Sequence, residues 1–340
     1  VHLPDASELE RLSPGSLDDV VRVLLMHQYE NWPMLREGIQ QLDLVSSRWF
    51  KESSFSFRLQ HNPGRMKSTT ADVSKKGMAS RTCFLCPRSL PPEQKGLHAG
   101  DFILLANPFP IFRNHLTIAH IEHRPQQMAP SLEAGLHLAR ALGERYTLFY
   151  NGPECGASAP DHMHFQAGES TFLPINSERS ALKAAFGQRL FHGEGLDIWS
   201  VAEGFRTMVW VEGHDGERIL KALSRIDKAY RNVSGVAWES GKEPMLNLMI
   251  RHGTTGWEVS LFLRKKHRPE RYFSEGEEKV LFSPGAVDMA GTCILPRAED
   301  YQRLTSKELK AFFQEVSLPE TEFLLLSESI KTEVSCGQFL

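Results

Sequence analysis

The chain has 340 residues, 41% hydrophobic and 24% charged, with a formal net charge of −3. Such a composition belongs to an ordinary globular protein, long enough for one large domain or two halves. It shows no clustered basic surplus of the kind that marks a nucleic-acid surface, and its apolar runs are far too short to span a membrane. Residues 1–5 show neither a basic nor an apolar leader pattern, so no secretory signal is expected. Five cysteines, an odd number with one Cys-x-x-Cys pair, fit a reducing compartment, and a cytoplasmic location is expected.

Residues 16–42 have helical spacing through Leu17, Val20, Val21, Leu24, Leu25 and Tyr29, with Ser16 as the expected cap and Pro33 as a kink. A strand is expected over 55–59, followed by a turn through Asn62-Pro63-Gly64-Arg65. Residues 67–81 read as a polar surface loop. Two short strands, 102–106 and 115–121, flank the breaker Asn107-Pro108-Phe109-Pro110. A helix is expected over 131–146, then strands over 147–150 and 162–167. A fainter series follows: a strand at 207–212, a helix at 217–231, and strands at 245–251 and 258–265 around a glycine turn. The last forty residues carry no readable motif.

The most informative stretch is Ser158-Ala159-Pro160-Asp161-His162-Met163-His164-Phe165-Gln166. Alternation puts His162, His164 and Gln166 on one strand face, with Met163 and Phe165 on the other. Beside the flexible residues 151–157, that row suits a phosphate site. One imidazole can attack phosphorus, the amide can hold an oxygen, and the other imidazole can bind a metal. An isolated pair of alternating histidines also fits a half-exposed strand. Cys83-Phe84-Leu85-Cys86 has the gap that lets two thiolates reach one ion, a spacing shared with redox motifs.

The nine-residue stretch resembles the HxHxQ branch of the histidine-triad superfamily. That branch holds galactose-1-phosphate uridylyltransferase, diadenosine tetraphosphate phosphorylase and GDP-hexose phosphorylase. The resemblance spans residues 55–304 and is tight at 62–65, 83–86, 107–123 and 151–166. Asp161, inserted between the proline and the first histidine, is as in the GDP-hexose phosphorylases, as are the Asn-Pro-Gly-Arg turn and the segment from Pro284 to Tyr301. The Cys-x-x-Cys is as in the uridylyltransferases.

The resemblance implies an α+β fold of two histidine-triad-like halves, each an antiparallel sheet with helices packed on it, the second half degenerate. The implied division is an N-terminal helical segment over 1–54, a catalytic half over 55–195, a degenerate half over 196–304 and an extension over 305–340. It implies His164 as nucleophile, with Gln166 and Ser158 at the phosphoryl group. A carbonyl of the loop 151–157 is expected to hold the other ring nitrogen of His164. Arg65, Asn62, Asn107, Asn151, Gly156 and Lys265 fall at substrate-binding positions. Cys83, Cys86, His123 and His162 are the implied ligands of a structural zinc, with His115 and His120 as competitors. No organic cofactor is implied.

The implied activity is nucleotidyl transfer from a nucleoside diphosphate sugar through a nucleotidyl-histidine, to phosphate or a sugar 1-phosphate. The alternatives are a dinucleotide polyphosphate phosphorylase or hydrolase and a silent nucleotide-binding protein. Relatives of this kind are often homodimers.

Overall fold

The computed structural model describes residues 14–70, 77–78, 81–193 and 195–335. Residues 1–5, most of the expected loop 67–81 and the last five residues of the C-terminal extension lie outside them.

The N-terminal helical stretch forms two pieces, α1 (Asp18–Asn31) and α2 (Pro33–Gln41). Trp32 between them is extended, as a residue before proline must be. Ser16 does not cap α1. The helix starts after Leu17 without a side-chain cap, and the N–H groups of Gly15 and Leu17 bond instead to the carbonyls of Arg140 and Ala141.

Ten strands form one antiparallel sheet. In chain order they are β3 (Gly96–Ala99), β4 (Phe102–Ala106), β5 (Leu116–His120), β6 (Tyr146–Asn151), β7 (His164–Glu169), β8 (Gly187–Gly193), β9 (Leu196–Ala202), β10 (Thr207–Gly213), β11 (Leu246–Gly253) and β12 (Gly256–Leu263). Their spatial order is β3-β4-β5-β7-β6-β11-β12-β10-β9-β8. Read from either edge the connectivity is the same, five strands per half. The helix between β5 and β6 (α4, Leu132–Leu142) matches the one between β10 and β11 (α6, Gly216–Ser234).

The two expected antiparallel sheets are therefore present but fused, because β6 pairs directly with β11 (Asn151 against Asn247, Phe149 against Met249). Each half closes the other's open edge, which would otherwise expose unpaired backbone groups. β7, the strand with the HxHxQ motif, corresponds to β12.

The sheet is apolar on both faces, so its strands read as nearly continuous hydrophobic runs. On β10, Val209 and Val211 face a core built with α1, α4, α6 and α10 (Glu320–Ser335). Met208 and Trp210 face a second core, with α5 (Pro174–Phe186), α9 (Ser306–Val316) and a small sheet. That sheet holds β1 (Ser46–Lys51), β2 (Ser56–His61) and β13 (Thr292–Leu295), with β13 parallel to β2. β2 leads into the turn 62–65, and α7 (Ala286–Met289) leads into β13. Their pairing brings Arg65 to Asp288 across more than two hundred residues of sequence.

Candidate nucleotidyl-transfer site

Phe165 and Ala167 of β7 are buried in the first core, so His164 and Gln166 face the other way. Both line a cavity of about 680 Å³, within the range of small-molecule sites. The regular strand begins at His164, and His162 lies in its lead-in.

His164 is 4% exposed, and burial pushes its pKa down to about 4, so the imidazole is neutral. Its Nδ1 lies 2.8 Å from the His162 carbonyl and donates to it, which leaves the Nε2 lone pair unprotonated. The expected acceptor in the loop 151–157 is thus replaced by the carbonyl two residues upstream. Gln126, buried, fixes the His164 backbone: its Oε1 accepts from the His164 N–H at 2.8 Å, and its Nε2 donates to the His164 and Asn151 carbonyls.

Gln166 is oriented by His115. Ile111 N–H donates to His115 Nδ1 at 3.3 Å, so Nε2 carries the proton and donates to Gln166 Oε1 at 2.9 Å. Burial, with the nearby positive Arg65, pushes the His115 pKa down to about 3 and keeps this tautomer neutral. Among the described residues the Gln166 NH₂ group has no hydrogen-bond partner, so it can donate to a ligand.

The second half supplies support to the loop 151–157. Asn247 Nδ2 donates to Asn151 Oδ1 at 2.9 Å and to the Cys155 carbonyl at 2.6 Å. Arg264, fully buried at the end of β12, donates to Asn247 Oδ1 and the Pro284 carbonyl. Ala286 N–H donates to Asn151 Oδ1 at 2.7 Å. Asp288 accepts from the N–H groups of Gly285 and Ile294, and burial raises its pKa to about 6. Gly156 has φ +95, and a Cβ there would stand 2.9 Å from the Gly285 Cα. Glycine is required where these two walls touch.

Cys83, Cys86, His123 and His162 come together, with their ligating atoms all within 4.8 Å of one another. Cys83 Sγ is 3.3 Å from His162 Nδ1, and Cys86 Sγ is 3.4 Å from His123 Nδ1 and 3.6 Å from His162 Nδ1. Burial opposes ionisation of Cys83, but His162 and the amides of Leu85 and Cys86 outweigh it and bring the thiol down to about 6. His162 Nε2–H donates to the His120 carbonyl at 2.7 Å, the outer-shell bond that fixes a ligand's tautomer. The two competitors are engaged elsewhere, His115 with Gln166 and His120 Nδ1 with the Glu122 N–H. This donor set can hold a metal ion.

Ser158, Arg65, Asn107, Asn151 and Gly156 all line the cavity. Asn107 is held by Thr117 and the Phe109 N–H, and Arg65 Nη1 donates to the Phe109 carbonyl at 2.7 Å. Two expected residues do not line it. Asn62 is buried behind the turn and donates to the Pro110 carbonyl, and Lys265 pairs with Glu322 at 2.5 Å. His267 and Arg268 line the cavity in its place. Trp32, Gln126 and His267 had no sequence signal, since only the fold brings them to the cavity or to the His164 backbone.

A family model described as "Domain of unknown function (DUF4922)" matches residues 24–169, and one described as "GDPGP1-like, C-terminal domain" matches residues 237–337. No curated protein matches the chain by sequence. Among solved structures, yeast Ap4A phosphorylase Apa2 in complex with Ap4A matches with a TM-score of 0.55 at 13% identity, covering 84% of this chain and 96% of that one. The same yeast enzyme in complex with AMP matches with a TM-score of 0.52 at 14% identity, covering 86% and 97%. The two family models match separate parts of the chain, and the solved structures share its fold. Its fold is that of the yeast Ap4A phosphorylase. Among the described residues no helix is long and apolar enough to cross a membrane.

Proposed function

We propose that the protein transfers a nucleotidyl group from a nucleoside diphosphate sugar through a covalent intermediate on His164. One observation carries the reading: a buried neutral imidazole with its Nδ1–H held by the His162 carbonyl and its Nε2 lone pair available beside the Gln166 amide. Nε2 attacks the α-phosphorus, a P–N bond forms, and the P–O bond to the sugar phosphate breaks, its oxygen keeping the electron pair. A phosphate oxygen then attacks phosphorus, the P–N bond breaks, and the lone pair returns to Nε2. Splitting one transfer into two gives ping-pong kinetics. The Gln166 amide, Ser158 and the loop amides are fixed donors for charge on the phosphoryl oxygens.

The GDPGP1-like match favours a nucleoside diphosphate hexose with inorganic phosphate as acceptor. A second reading, phosphorolysis of a dinucleotide polyphosphate, is favoured by the fold match to the yeast enzyme. It uses the same histidine with another leaving group.

The cysteine–histidine cluster fits zinc. Tetrahedral ligands at usual Zn–S and Zn–N lengths stand about 3.6 Å apart, near the sulfur–nitrogen separations here. Four protein ligands leave no open position, so the ion's contribution is structural. It ties residues 83–86 and 123 to the lead-in of β7.

The test is incubation with GDP-, UDP- and ADP-hexoses and diadenosine tetraphosphate, each labelled at the α-phosphate. The expected result is acid-labile, base-stable label on His164, discharged by phosphate or a sugar 1-phosphate and absent in His164→Gly. Label on no residue, with nucleotide binding intact, overturns the reading.

A further inference from the structure

Residues 264–268 read Arg-Lys-Lys-His-Arg, a basic run on the second half. The structure separates its members. Lys265 pairs with Glu322, and Lys266 pairs with Glu270 and Glu315, all at the surface. Arg264 and Arg268 have no carboxylate partner among the described residues. Arg264 is 2% exposed and donates only to neutral acceptors, among them the carbonyls of Lys266 and His267. Its contacts lock the segment in place. Arg268 is half-buried, donates to Ser283 Oγ at 2.9 Å and lies 4.2 Å from the Tyr272 ring. His267 Nε2 is buried and has no hydrogen-bond partner among the described residues.

A half-buried cation such as Arg268, with no carboxylate in contact among the described residues, is costly unless an anion joins it. His267 and Arg268 line the cavity that holds His164 and Gln166. Gly285 and Ala286, in the same wall, touch Gly156 and Asn151 of the loop leading to the nucleophile.

We propose that His267 and Arg268 form the subsite for a phosphate dianion, the one released or consumed opposite the nucleotidyl group. This rests on the nucleotidyl-transfer reading above. The dianion is either inorganic phosphate or the phosphate end of a sugar 1-phosphate. Arg268 supplies charge on a guanidinium held by Ser283 and Tyr272, and His267 Nε2 supplies a hydrogen bond. Arg264 is a positioning residue that holds their backbone through the His267 carbonyl.

The experiment measures the full-length protein's thermal stabilisation by inorganic phosphate, by glucose 1-phosphate and by GMP and AMP, in chloride at constant ionic strength. His267→Leu and Arg268→Leu should each raise the half-saturating inorganic phosphate concentration about tenfold, the size of one hydrogen bond to a charged group. His267→Gln, which keeps a donor near the Nε2 position, and Arg268→Lys should recover most of the loss. Half-saturation by GMP and AMP should stay within about threefold of wild type.

Loss with inorganic phosphate alone assigns the subsite to a free phosphate acceptor. Loss with both phosphates assigns it to the shared phosphate group. Unchanged phosphate binding in both leucine variants overturns the proposal, as does an equal loss for the nucleoside monophosphates. Should a leucine variant fail to fold, failure of its conservative partner to bind phosphate more weakly than wild type, or more tightly than the other leucine variant, overturns it too. Failure to label His164 alongside the expected phosphate losses would sink the nucleotidyl reading and leave the anion subsite standing.

Discussion

Gln166 can aim its NH₂ at a phosphoryl oxygen only while something holds its carbonyl, and His115 Nε2–H does so at 2.9 Å. His115 is therefore a positioning residue. His115→Phe keeps a flat ring but removes both nitrogens, leaving Gln166 Oε1 and the Ile111 N–H without partners. Unfolding free energy should fall by about 1–3 kcal/mol, and kcat should fall about tenfold or more with KM little changed. An unchanged kcat in a stably folded variant would remove His115 from the site. Gly156 is the other residue whose chemistry is dictated locally. With φ at +95 and backbone of Gly285 2.9 Å from any added Cβ, Gly156→Ala both strains its own backbone and pushes the two cavity walls apart. Denaturant titration should show a loss of about 2 kcal/mol or more.

At the scale of elements, the lead-in to β7 does two tasks with two histidines, one turned to sulfur and one to the cavity. Cys83→Ser should lose the metal, lower the melting temperature, and reduce activity only through the looser strand. Metal analysis of purified wild type should give about one zinc per chain. No zinc in wild type, with equal melting temperatures for both proteins, would remove the ion. The motif strand, its flanking strands and both sheet helices were legible because their alternation and helical spacing match the buried faces on which they sit. β1, β3, β8, β9 and β13 were not. All but β9 lie at sheet edges, and β13 pairs only with β2, from far away in sequence. α9 was missed although Thr305 and Glu308 form a capping box that the sequence displays. Lys265 was expected at the substrate because a basic run does not show which cations already have carboxylate partners. The bonds of Asn247 to the loop 151–157, and of Arg264 to Asn247, depend on the pairing of β6 with β11, which one sequence does not display.

At the scale of the molecule, the fused sheet makes the cavity a shared property of both halves. His115 from the first half and His267 from the second are both held neutral by burial, each near a pKa of about 3. Each binds a proton near pH 6.5 when the chain unfolds. The unfolded state thus takes up more protons than the folded state between about pH 6.5 and 3, so stability present above pH 6.5 is lost as the pH falls through that window. Asp288 and Glu243 act in the opposite sense, since burial raises their pKa values to about 6 and about 7 and acidification relieves their buried charge. A bare pH profile of wild type mixes these contributions, whereas a difference profile isolates one. His115→Gln removes one titrating group while keeping an amide donor. Its stability deficit against wild type should therefore be largest at pH 7 and shrink by about 1.4 kcal/mol for each pH unit below 6.5. Urea titrations at pH 7, 6 and 5 measure it. A deficit that stays constant or widens on acidification would mean that His115 is already protonated, or solvated, in the folded protein, and the tautomer that orients Gln166 would fall with it.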